Sequence, residues 1–227
     1  MGVSLVAPFA VVVSENIPQI SRDEVIKRLT YLGATKTSNF SIDYDVLYPV
    51  APIEGQSHSN NMHVFHHSEC PHSTFCILDS GAKLTCENSF DAVLNKMKPF
   101  YSPKKTQTGT SAIEIKGAVY SYVDFVFRVG GIYFGPNPKY FTLEIEYNAC
   151  DYMSKCKALM EEMLSDVLGN DVIRSFNSYW SNDSANRSSN PDQEEPFQTI
   201  DCIDKYLNII TKIKQGSVST NYDYSFN

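Results

Sequence analysis

The sequence predicts an α+β protein: an antiparallel β-barrel of about eight or more strands, flanked by helices. Three observations carry that prediction. Between Ser111 and Cys150, three long segments alternate apolar and polar residues with period two, the pattern of strands with one dry and one wet face. Short turns, not helices, separate the successive long strands, which favours an antiparallel meander. Helical periodicity is confined to the ends of the chain and to one short stretch between strands. So many strands in one sheet should curl into a barrel or twist strongly.

In chain order, the apolar opening from Val3 to Val13 reads as the first strand. It is too short to span a bilayer, and no basic segment precedes it as a secretory signal would require. Met1-Gly2 invites a myristoylation reading, but Val6 stands where a Ser or Thr is wanted. Ser21 with Glu24 forms a capping-box signature, and Val25, Ile26, Leu29 and Leu32 follow at helical spacing up to Gly33. Phe40, Ile42, Tyr44 and Val46 alternate with Ser41, Asp43 and Asp45 as a half-buried strand. After a Pro/Ser/Asn-rich loop over 49–61, short strands are predicted at Met62–His67, Thr74–Leu78 and Lys83–Glu87, the last two joined by the Asp79-Ser80-Gly81 turn. Asn88-Ser89 is placed to cap a helix carrying Phe90, Val93, Leu94 and Met97.

The long strands follow. Ile113 and Ile115 alternate with Glu114 and Lys116. After Gly117, Val119, Ser121, Val123, Phe125, Phe127 and Val129 alternate with Tyr120, Tyr122, Asp124, Val126 and Arg128. After the turn-rich stretch 130–138, Phe141, Leu143, Ile145 and Tyr147 alternate with Tyr140, Thr142, Glu144 and Glu146. This reading puts Tyr120, Tyr122, Arg128, Glu144 and Glu146 on polar faces. Asp151 opens an amphipathic helix with Cys156, Met160, Met163, Leu164 and Val167 on one stripe, stopped by Gly169. A further apolar segment reaches Trp180. Residues 181–196 are rich in Ser, Asn, Asp and Glu without periodicity, the composition of a disordered insertion. A last helix carries Ile200, Ile203, Tyr206, Leu207, Ile210 and Ile213. The domain reading is therefore one barrel domain over 1–214 containing that insertion, with a frayed tail over 215–227.

At 227 residues the chain can bury one sizeable core. A formal charge of -7 argues against a dedicated nucleic-acid binder, which would show a basic field. The six cysteines are scattered without a C-x-x-C pair and read as reduced thiols, consistent with a cytosolic or nuclear setting.

Three constellations invite a chemical reading. His58, His63, His66, His67 and His72 lie close together beside Cys70 and Cys76, yet their spacing matches no zinc motif, and His66 faces away from His63 and His67. Histidines capping strand ends are the simpler reading. Glu144 and Glu146 share one side of a strand, as paired glutamates holding a divalent metal against a triphosphate would, with Glu114 and Lys116 as a weaker pair. A metal-dependent tunnel-type phosphohydrolase using Glu144 and Glu146 is the enzymatic alternative. Such a tunnel needs many cations, and the wet faces of the three long strands supply Lys116 and Arg128. The preferred reading is an exposed acidic strand face or a partner contact. Lys96, Lys98, Lys104 and Lys105 with Phe100 and Tyr101 form a basic-aromatic loop, read as a solvated surface rather than a nucleic-acid patch. No catalytic, cofactor-binding or metal-binding residue is assigned.

Read together, the segments resemble the family of subunit 20 of the Mediator complex. The resemblance rests on Met1-Gly2-Val3, Leu32-Gly33-Ala34, Phe40 with Asp43, His66-x-Ser68-Glu69-x-Pro71 leading to Phe75, and Phe90-Asp91 with Lys98-x-Phe100. Its most specific block is Ile113-Glu114-x-Lys116-Gly117-x2-Tyr120-x-Tyr122-x-Asp124-Phe125, continuing through Val129-Gly130 and Gly135-Pro136 to Glu144-x-Glu146-Tyr147-x2-Cys150. The resemblance implies a barrel similar to that of Mediator subunit 18 and to tunnel-type RNA triphosphatases, but without catalysis or cofactor. It implies a nuclear, non-catalytic coactivator subunit that forms a heterodimer with subunit 18. A helix of subunit 8 would tether that pair in the head module, which is linked indirectly to RNA polymerase II. Direct nucleic-acid or membrane binding is not expected. Tyr120 and Tyr122 are the interface candidates, because Tyr is enriched at interface cores. Ordinary barrel packing is their alternative role.

Overall fold

The structure is a computed structural model that describes residues 2–10, 19–50, 60–103, 105–106, 109–110, 112–138, 140–169 and 195–219. Strand β1 (Val3–Ala10) opens the chain, followed by helix α1 (Arg22–Leu32) and the long strand β2 (Thr35–Pro49). Then come β3 (Met62–His67), β4 (Ser73–Leu78), β5 (Lys83–Glu87) and the short helix α2 (Phe90–Lys96). Three short strands, β6 (Tyr101–Pro103), β7 (Lys105–Thr106) and β8 (Gly109–Thr110), lead into β9 (Ile113–Tyr122), β10 (Phe125–Tyr133) and β11 (Tyr140–Tyr147). Helices α3 (Met153–Leu168) and α4 (Thr199–Ser219) complete it. This is the α+β, antiparallel arrangement the alternation predicts. The Trp180 segment and residues 181–194 of the expected insertion lie outside the described residues, as do 220–227 of the expected tail. Helix α4 runs on to Ser219, past the residue-214 domain boundary read from the sequence.

Local signals explain several boundaries. Ser21 caps α1, its hydroxyl accepting from the Glu24 amide at 3.2 Å, and Gly33 ends the helix in the left-handed region at φ 94°. Ser89 stands at the start of α2 but makes no side-chain cap bond. All the main strand pairings are antiparallel, in the order β1-β11-β10-β9-β2-β3-β4-β5, with β6 beside β2.

Helix α4 shows how far this sheet curls. Laid flat, strands about 4.8 Å apart would separate β1 and β5 by about 34 Å. Yet within one turn of α4, Asp204 pairs with Lys83 of β5 at 3.0 Å and Lys205 donates to the Ser4 carbonyl of β1 at 3.1 Å. A helix about 10–12 Å wide reaches both edges only if the sheet is rolled around it. Helix α4 thus lies along the inner face, in the seam between β1 and β5, and Lys214 near its end covers the Tyr44 ring. The outer face of β1, β11 and β10 is closed by α1 and α3, which are tied by Arg28 donating to the Val167 carbonyl at 3.1 Å. Farther round, α2 sits on a smaller cluster of Met62, Val64 and Cys76.

Two sequence expectations need correction. Residues 119–129 are not one strand: Tyr122 pairs directly with Phe125 across a two-residue turn at Val123-Asp124. Residues opposite one another in an antiparallel ladder share a face, so Tyr120 and Tyr122 lie with Phe125 and Phe127, not opposite them. The faces carrying Glu144, Glu146 and Arg128 are not wet. Both faces of this part of the sheet are covered, the inner by α4 and the outer by α1 and α3.

Candidate functional site

The register of β1, β11 and β10 gathers the charged cluster. Val6 lies opposite Glu144 and Ser4 opposite Glu146, while Arg128 of β10 lies opposite Glu144 on the other side. Alternation therefore puts Ser4, Glu144, Glu146 and Arg128 on one inner patch. Helix α4 adds Tyr206 from above, and the turn after β3 adds Glu69.

The strand members of the cluster are dry and densely bonded, while Glu69 reaches in from an exposed turn. Glu144 is 1% exposed, Glu146 4% and Arg128 6%. Arg128 donates through Nη1 to Glu144 Oε1 at 2.9 Å and to Glu146 Oε2 at 2.8 Å, and through Nε to Glu69 Oε2 at 2.5 Å. The second Glu144 oxygen accepts from the Tyr206 hydroxyl at 2.8 Å, and the first also takes the Ser4 hydroxyl at 3.0 Å. Glu146 Oε1 accepts the Gly2 amide at 3.0 Å. Each carboxylate oxygen on β11 thus has a protein donor, as buried charges require.

The protonation states follow from this bonding. Burial works against charge on Glu144, but Arg128, His67 and the Tyr206 and Ser4 hydroxyls outweigh it and hold the carboxyl below its usual range. Burial likewise opposes the Arg128 charge, and Glu144, Glu146 and Glu69 more than restore it. Burial first, then Glu144, pushes the Tyr206 phenol well up, keeping its proton for donation. His67, nearby on β3, is pushed down by burial against the pull of Glu144. Three carboxylates around one guanidinium leave a formal excess of two negative charges (3 − 1), held in place by hydrogen bonds.

The enzymatic alternative fails on this geometry. Glu144 and Glu146 do share a side, but their oxygens are occupied by Arg128, Tyr206, Ser4 and Gly2. Neither are they an exposed acidic face. Arg128, the basic residue beside them, serves the carboxylates and not an incoming phosphate. Lys116 and Glu114 pair with each other at 2.7 Å on the outer face, away from the cluster.

The other singled-out residues are also placed. His63 bonds to Tyr44 at 2.9 Å and to Asp79 at 2.8 Å, His66 reaches Asp91 at 3.0 Å, and His67 accepts the Glu69 amide at 3.1 Å. His58 lies outside the described residues. The six cysteines are free thiols, of which Cys76, Cys156 and Cys202 are buried. In the basic-aromatic loop, Phe100 is exposed, and Lys104 lies outside the described residues. Tyr120 is 7% exposed within the main core, while Tyr122 is half-buried with its ring 3.4 Å from where a Cβ on Gly33 would stand.

The periodic reading missed Ser4, Glu69 and Tyr206. Ser4 had a signal, being the lone polar residue in the apolar run from Val3 to Ala10. Tyr206 had none, since it sits on the apolar stripe of its helix, 62 residues from its partner.

A rolled sheet plugged by its own helix, with its charged interior bonded to itself, defines an architectural protein whose working surfaces lie outside. Comparison with known proteins places it. A family model described as the TATA-binding related factor of subunit 20 of the Mediator complex matches residues 8–211. The Anopheles gambiae protein named Mediator of RNA polymerase II transcription subunit 20 is 31% identical over 222 residues, covering 96% of this chain and 97% of its own. The Homo sapiens protein of the same name is 32% identical over 171 residues, covering 74% and 78%. Among solved structures, PH1012 from Pyrococcus horikoshii OT3 is similar at a TM-score of 0.41 with 10% identity, covering 88% of this chain and 98% of that one, a likeness on which nothing further rests. The chain belongs to the Mediator subunit 20 family. It is a Mediator complex subunit for transcription by RNA polymerase II and not an enzyme.

Proposed function

We propose that this chain works in the nucleus as one half of a heterodimer with Mediator subunit 18, tethered by a helix of subunit 8 within the head module and linked through it to RNA polymerase II. Its contribution is shape: a rigid barrel that presents an outer surface to its neighbours. Membership of the subunit 20 family supports the assembly, and the closed interior supports an outward-facing role. Among the described residues, no helix is long and apolar enough to cross a membrane.

The observation that carries the docking surface is the β9–β10 turn. Val123, at its apex, is 83% exposed and takes a left-handed backbone at φ 52°, a conformation that β-branched residues rarely adopt. Strain of this kind persists at functional positions when the surroundings impose it. Tyr122 beside it packs over Gly33, bringing the exposed Tyr31 of α1 to the same end of the molecule. Tyr122 and Val123, with Tyr31 two residues before Gly33, supply aromatic and apolar side chains of the kind enriched at interface cores. Tyr120 supports it from within the core. Co-expression with subunit 18 tests this. Val123→Asp should weaken co-purification by about 2 kcal/mol or more if the turn is central to the interface, with an unchanged melting temperature for the lone chain. Full recovery of subunit 18 with Val123→Asp and with Tyr122→Ala would remove the turn from the interface.

A further inference from the structure

A second feature of the outer surface stands apart from both the charged interior and the β9–β10 turn. A cavity of about 460 Å³ opens between the start of α1 and strands β2, β9 and β10. Its polar lining is Arg22, Asn39, Ser41, Ser68, Lys116 and Tyr133. Two of these are cations, four carry neutral donors, and none is a carboxylate.

One of the two cations, Arg22, is poorly used by the protein itself. Arg22 Nε is shielded from solvent without a hydrogen-bond partner. Among the described residues, Arg22 forms no ion pair, unlike Arg28 one helical turn and a half away, which holds Glu24 and the Val167 carbonyl. The Ser68 hydroxyl accepts the Ser41 amide at 2.9 Å, which leaves its own proton to donate. Lys116 also lines the cavity, its ammonium 4.7 Å from the Tyr133 ring and paired with Glu114 at 2.7 Å, so an entering anion shares this cation with a carboxylate. A guanidinium that holds no carboxylate leaves its charge and its remaining N–H groups to an entering anion.

We propose that this cavity is a binding site for a phosphoryl group, with Arg22 and Lys116 as its cations and Ser41, Ser68, Asn39 and Tyr133 as neutral donors. A phosphate monoester carries close to two negative charges at neutral pH and three terminal acceptor oxygens, which matches two cations and several neutral donors better than one carboxylate does. The cavity has the volume of a small-ligand site and admits a phosphorylated side chain with part of its backbone. Glu114 and Asp43, facing each other on the neighbouring strands, oppose the anion and limit its affinity. The site does not depend on the heterodimer reading, since it concerns the chain alone.

The test is a two-dimensional NMR titration of the full chain with inorganic phosphate, with a capped Gly-phosphoserine-Gly peptide and with acetate. The expected result is saturable shifts confined to the amides around Arg22, Ser41, Ser68 and Lys116 with both phosphoryl ligands, and weak or no response to acetate. Arg22→Gln and, separately, Lys116→Gln should each weaken binding by about tenfold or more while leaving the spectrum elsewhere unchanged, as loss of a charge-assisted contact predicts. Tighter binding of the peptide assigns the site to a phosphorylated side chain, and equal binding assigns it to free phosphate. Either supports the site. Non-saturable shifts spread over all lysines, indifference to Arg22→Gln, or acetate binding as tight as phosphate would overturn it.

Discussion

Two helices cover the same sheet and share almost nothing else. Helix α4 spans 21 residues and buries Ile200, Ile203, Tyr206, Leu207, Ile210 and Ile213 against the inner face, bonding to β1, β5 and the charged cluster. Helix α2 spans 7 residues, buries none of them, and rests Phe90 and Leu94 on a small patch of the outer face. So short a helix does not hold itself together and borrows its order from the strands beneath. The contrast teaches where the stability of this molecule resides. The inner face unites β1 and α4, elements far apart in the chain, whereas the outer face at β3 and β4 carries a small cluster under α2.

Several variants sharpen or break that contrast. The largest effect is expected for Arg128→Met, which leaves Glu144 and Glu146 buried without their cation; breaking a buried pair from one side costs about 3–5 kcal/mol. Urea unfolding of the isolated chain measures this, and a loss near zero would mean that the cluster is wetter than its burial indicates. Next comes a matched pair of truncations. Ile210→Ala under α4 should cost about 2–5 kcal/mol, whereas Leu94→Ala on α2 should cost about 1 kcal/mol or less, as surface changes do. Equal losses would erase the distinction between the two helices. Tyr206→Phe keeps the packing of α4 but strips one donor from Glu144, at about 1–3 kcal/mol for a buried acceptor left unmade.

The smallest effect is a pH dependence, and it too belongs to the inner face. The Glu144 carboxyl is held below its ordinary value of 4.5, so its contribution is present above that pH and disappears as pH falls through the lowered folded value. His67 is held below its ordinary 6.5, so the unfolded chain takes up a proton that the fold refuses, and stability declines as pH drops below 6.5. Both shifts act in one direction: melting temperature should fall on acidification from pH 7. A flat profile from pH 7 to pH 4 would contradict the bonding described for the cluster.

Much of this architecture was legible in the alternation of residues, because period two reports which side chains share a face. It could not report whether a face is covered. Glu144 and Glu146 look like a wet face until α4, far along the chain, folds over them. Nor could alternation detect the turn at Val123-Asp124, which lacks the Gly or Pro that normally marks a hairpin. Missing it put Tyr120 on the wrong side, as a projecting residue instead of a buried one. Capping chemistry at Ser21 and Gly33 was readable because it depends on neighbours in sequence, while the Arg128 network depends on residues brought together by the register.

The central claim is that the charged interior is bonded within the fold and serves nothing beyond it. Its most direct test replaces the whole cluster at once, with Arg128→Met, Glu144→Gln and Glu146→Gln in one chain, since neutral isosteric replacement of a buried ion cluster is often tolerated. The account predicts a folded protein, with the circular dichroism of the parent, that still co-purifies with Mediator from nuclear extract. A variant that folds normally yet fails to enter the complex would show that these charges serve more than the fold.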